Sequence, residues 1–145
     1  MSDLVHPEWL DLVWVAVDSR GRLAALITAG QGPIAEGALP TLDPVGEWLD
    51  DLPERCGVSP DDAHEAFASY ARKGVFVFDW SDVHRVDGLL DAYELMAAPE
   101  TPIRFTDIPA EIAAAIRLTT LGLDFAERQT IDPRPLTPCL EHPED

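Results

Sequence analysis

Lysine is almost missing from this chain. Lys73 is the only one, and with nine arginines it makes 10 cations against 27 Asp and Glu in 145 residues, a formal net charge of −17. That balance excludes electrostatic attraction to nucleic acid or to an anionic membrane surface, and it loads the folded state with self-repulsion. It points to a basic partner instead. Cysteine is scarce as well: Cys56 and Cys139 have no CxxC neighbour and no histidine at zinc-site spacing, so two free thiols in a reducing compartment are expected. No apolar run approaches the roughly 20 residues that span a bilayer. Met1 to Asp11 carries Asp3, Glu8 and Asp11 and neither Lys nor Arg, unlike a secretory signal, so the cytoplasm is the expected location.

Against these absences stands a full complement of core residues. Hydrophobic residues make up 46% of the chain, enough for one core in a domain of this length. The preference for Arg over Lys, with many Ala, Gly and Pro, is the composition of a GC-rich bacterial genome. Residues 1–131 are expected to form a single domain. Residues 132–145, with prolines at 133, 135, 138 and 143, are expected to form an acidic extended tail.

Apolar patterning predicts the elements. Leu12 to Asp18 and Arg22 to Thr28 form a hairpin around a turn that uses Gly21, and the first strand, apolar on both faces, is expected inside the sheet. Asp43-Pro44 opens a helix through Leu52 with Val45, Trp48, Leu49 and Leu52 on one face and Glu47, Asp50, Asp51 and Glu54 on the other. Ser59-Pro60 opens a second helix, with His64 inside it, closed by Arg72-Lys73-Gly74. Strands are expected at Val75–Trp80, Leu90–Ala97 and Ile103–Phe105, a third helix from Thr106 to Gly122, and a last strand within Leu123–Ile131. Trp14, Phe76 and Phe78 are expected in one core. The order predicts an α+β domain, a mainly antiparallel sheet with about three helices packed on it.

No stereotyped catalytic motif is present. There is no GxSxG, and Gly30-Gln31-Gly32 lacks the lysine and following helix of a phosphate cradle. The densest polar cluster, Asp79, Asp82, His84 and Asp87, has the residue types for a divalent metal or for acid and base work, but at no recognised spacing. No cofactor and no metal is expected. The stretch from Asp43 to Asp62 holds seven carboxylates against Arg55 alone, denser than solubility requires, although most charge runs are simply solvated faces.

Trp14-Val15-Ala16-Val17-Asp18-Ser19-Arg20-Gly21-Arg22, continuing to Gly30-Gln31-Gly32-Pro33, resembles the opening hairpin of small bacterial proteins. With its size and acidity, the chain resembles the immunity proteins of bacterial toxin systems. The resemblance implies a non-catalytic inhibitor that occludes a basic toxin. The expected contact residues are Glu47, Asp50, Asp51, Glu54, Asp79, Asp82 and Asp87, and the expected partner is a basic protein, with no nucleic acid and no membrane. The alternative expectation is a small metal-dependent or acid/base enzyme using Asp79 to Asp87.

Overall fold

The apolar residues of Val13–Val17 point alternately to two sides, and both sides are buried, so this strand needs covering layers above and below it. The computed structural model supplies both. It describes residues 4–5, 12–28, 34–35, 38, 41–81, 84–85, 88–89, 92–121, 124–127 and 130–131. In chain order these form β1 (Leu4–Val5), β2 (Val13–Val17), β3 (Leu23–Ile27), β4 (Ile34–Ala35), α1 (Leu42–Asp51), β5 (Val58–Ser59), α2 (Glu65–Ala71), β6 (Phe76–Ser81), β7 (His84–Arg85), β8 (Gly88–Leu89), β9 (Ala92–Pro99), α3 (Ala110–Ile116) and β10 (Thr130–Ile131). The class is α+β.

The main sheet runs β10-β9-β6-β3-β2, with β5 also paired to β9. Most neighbours are antiparallel, but β3 and β6 are parallel, with Ala24 beside Phe76 and Leu26 beside Phe78. The sheet is therefore mainly antiparallel, as expected, and the one parallel pair makes it mixed. A parallel pair requires a crossover, and here the crossover contains α1, β5 and α2. One sheet face carries Trp14, Ala16, Leu26, Phe76, Phe78 and Tyr93, covered by Ile34, Leu121 and Phe125. On the other face, Val15, Val17, Leu23 and Ala25 meet Val45 and Leu49 of α1 and Ile112 and Ile116 of α3, while Ala68 and Ala71 of α2 meet Val77 and Ala97. Trp14, Phe76 and Phe78 share one core, as their strand positions predict.

The first strand of the hairpin lies at the sheet's edge, not inside it. Two of its outward carbonyls are nonetheless satisfied: Thr119 Oγ1 donates to Val15 O at 2.8 Å, and the Leu121 amide donates to Val17 O at 2.8 Å. A segment about a hundred residues further along the chain thus blocks the edge that would otherwise pair with another molecule. Local patterning reports two-sided burial but not which segment provides it.

The turn between β2 and β3 holds a buried charge. Gly21 takes φ +78, the left-handed position of a three-residue hairpin loop. Asp18, 2% exposed, accepts from the amides of Arg20 (2.9 Å) and Arg22 (2.8 Å) through Oδ1 and from the Phe125 amide (3.0 Å) through Oδ2. Arg22 Nε lies 3.4 Å from Asp18 Oδ2, and the same guanidinium bonds to Asp124. The network fastens the hairpin turn to the 124–127 segment.

Three elements are shorter than the sequence predicts. Ser59 is taken up by pairing with Ala98, so α2 begins only at Glu65, and His64 caps it by accepting the Ala66 amide on Nδ1 at 3.1 Å. Ile108 is extended because Pro109 follows it, which confines α3 to Ala110–Ile116 after a separate turn at Phe105–Asp107. Ile103–Phe105 makes no strand: the Ile103 and Phe105 amides donate to Gly74 O and Gly21 O, tying two loops together. At the C-terminal side, Phe125–Glu127 is a helical turn and only Thr130–Ile131 pairs with β9. The tail at 132–145 lies outside the described residues.

Candidate protein-binding face

Helix α1 is amphipathic because its apolar residues recur at helical spacing. Val45 and Leu49 are buried, Trp48 and Leu52 pack against the same core, and Glu47, Asp50 and Asp51 are exposed on the other side, with Glu54 exposed just beyond. The helix starts at Leu42 rather than at Pro44, so Asp43 falls in the first turn, where the helix dipole favours it. Asp50 and Asp51 sit at the opposite end, where the dipole disfavours carboxylates, and no basic residue stands in that last turn. The chain's single lysine compensates from outside: Lys73 Nζ donates to Leu49 O at 3.0 Å and to Asp50 O at 2.9 Å.

Among the described residues no Lys, Arg or His lies within ion-pair distance of Glu47, Asp50 or Asp51. Glu54 differs, with Arg72 at 3.8 Å, although the same guanidinium binds Glu65 more closely, at 2.7 Å. The Arg72 hydrogen bond holds the Glu65 carboxyl below the ordinary carboxylate range.

A groove of about 220 Å³ runs beside α1, lined by the buried Leu49, the half-buried Leu12, Val13 and Tyr70, and the exposed Asp43 and Asp50. Gly46 lies between the two carboxylates, in a stripe Asp43, Gly46, Asp50 spaced i, i+3, i+7 along one side of the helix. A glycine inside a helix costs about 0.8–1.0 kcal/mol relative to alanine. Neither backbone nor packing requires it here: the glycines with positive φ among the described residues are Gly21 and Gly74, and a Cβ on Gly46 would meet nothing within 4 Å. A glycine inside a helical pattern is the one signal of this feature that the sequence carries.

The remaining expected contact residues are elsewhere. Asp79 is half-buried in β6, in register with Ile27 of β3 and Glu94 of β9. Asp82 and Asp87 lie outside the described residues, as do the side chain of His84 and all of Cys139. Cys56 is half-buried, with Sγ 3.6 Å from Ala71 O. Among the described residues no three His, Cys, Asp or Glu side chains are grouped to hold a metal ion, and no helix is long and apolar enough to cross a membrane.

Comparison with known proteins finds no matching family, no matching curated protein and no matching solved structure. The functional reading therefore stands on the site alone.

Proposed function

We propose that the chain is a non-catalytic protein-binding module of the cytoplasm, an immunity-like inhibitor that neutralises a basic toxin or effector by covering it with the acidic side of α1. One observation carries the reading: Glu47, Asp50 and Asp51 are exposed and without a cation among the described residues, on a helix whose other side is locked into the core. Carboxylates near a helix C-terminus oppose the dipole, so stability alone does not favour them there. A rigid, preorganised acidic face steers encounter with a basic protein and loses little freedom on docking. Occlusion needs no catalytic group.

The test starts with the immobilised chain and an extract of the source cells at low and high salt. The expected result is a basic protein that purifies with the chain one-to-one, loses its own activity in the complex, and associates more slowly as salt rises. A partner whose association is indifferent to ionic strength, or whose activity is untouched in the complex, overturns the proposal.

A further inference from the structure

We propose that the groove beside Gly46 is a receptor for one arginine side chain of the partner; this deepens, and rests on, the acidic-face reading. An arginine presents a three-methylene stem and a planar cation. The groove offers both: buried or half-buried apolar side chains of Leu49, Leu12 and Val13, and the exposed residues Asp43 and Asp50, with Tyr70 also in its lining. Seven residues of helix separate the two carboxylates by about 10 Å along the axis, so the head enters between them. Any side chain at position 46 would project into that space. Gly46 keeps it open, in a position where no neighbour and no backbone angle calls for glycine.

Lys73 does not fill the site. Its ammonium is held on the Leu49 and Asp50 carbonyl oxygens and lies 5.8 Å over the Tyr70 ring. The Asp50 carboxylate is left with no ion-pair partner among the described residues. The resident cation thus steadies the helix end and leaves that charge available.

The probe is n-butylguanidinium, titrated at low salt into the full chain while backbone amide resonances are followed by NMR. Saturable shifts centred on Gly46 and Tyr70 are expected, with millimolar affinity. Gly46→Leu fills the groove and weakens binding at least tenfold, while its circular dichroism and denaturation midpoint match or exceed those of the wild type. Should Gly46→Leu fail to fold, the pair Asp43→Asn and Asp50→Asn replaces it, with the same loss expected. Equal shifts in wild type and variant, or shifts spread evenly over Glu47, Asp51 and Glu54, overturn the groove and leave the acidic face standing. Absence of any saturable shift also overturns the groove. The broader reading fails separately, if the partner's association proves indifferent to salt while butylguanidinium still seats at Gly46.

Discussion

The indole Nε1–H of Trp14 donates to the Tyr93 hydroxyl oxygen at 3.1 Å, joining residues 79 positions apart over the intervening strands β3 and β6. Trp80 packs edge-on against the same tyrosine, with ring centroids 5.1 Å apart. Burial raises the Tyr93 hydroxyl well above the ordinary tyrosine range. The folded state thus binds this proton more tightly than the unfolded chain does. Its contribution is complete below about pH 10 and falls as pH rises through the folded value. Tyr93→Phe is expected to cost about 1–3 kcal/mol at pH 7, because the Trp14 N–H is left unpaired in the core. Urea titrations between pH 7 and 11 should show the gap between wild type and variant narrowing above about pH 10; a constant gap would rule the linkage out.

Asp18 is the other buried group on which much converges. It accepts three backbone amides and faces Arg22, so Asp18→Ala leaves three amide donors without their acceptor and leaves the Arg22 guanidinium with Asp124 alone. A loss of about 3–5 kcal/mol is expected, the scale for breaking one side of a buried pair. Asp18→Asn should lose less, since an amide oxygen still accepts. Equal losses in the two variants on equilibrium unfolding would show that the charge, which both remove, matters more than the amide contacts.

Phe78 is fully buried and its ring lies 5.7 Å from that of Phe125. Phe78→Ala should cost about 3–5 kcal/mol through lost burial and the cavity left behind. A change below about 1 kcal/mol in denaturant would contradict its place in the core.

Asp50→Asn with Asp51→Asn is expected to shift stability by no more than about 0.5 kcal/mol, because both side chains are exposed. The partner's association rate should fall, most at about 0.01 M salt, where the Debye length is about 30 Å against about 8 Å at physiological ionic strength. Stopped-flow traces unchanged by the substitutions would show that the face is only solvated.

The legible parts of this fold are those encoded by short-range periodicity. The hairpin β2–β3, the alternation of Phe76, Phe78 and Trp80, and the two sides of α1 all follow from residues a few positions apart. What escapes is pairing at a distance. Nothing local marks β3 as the parallel neighbour of β6, or β2 as an edge closed by Thr119 and Leu121. Ser59 reads as a helix cap because its competing partner, Ala98, is 39 positions away. At the site, the exposed carboxylates of α1 are legible from their spacing, whereas the groove is not, because Leu12 and Val13 come from one distant part of the chain and Tyr70 from another.

The late closure of β2 has a consequence for synthesis. The groups that cover the outer edge of the hairpin, Thr119 Oγ1 and the Leu121 amide, are translated about a hundred residues after it. At about 5–20 residues per second that interval lasts at least several seconds. Throughout it the Val15 and Val17 carbonyl oxygens lack the donors that close this edge in the folded protein.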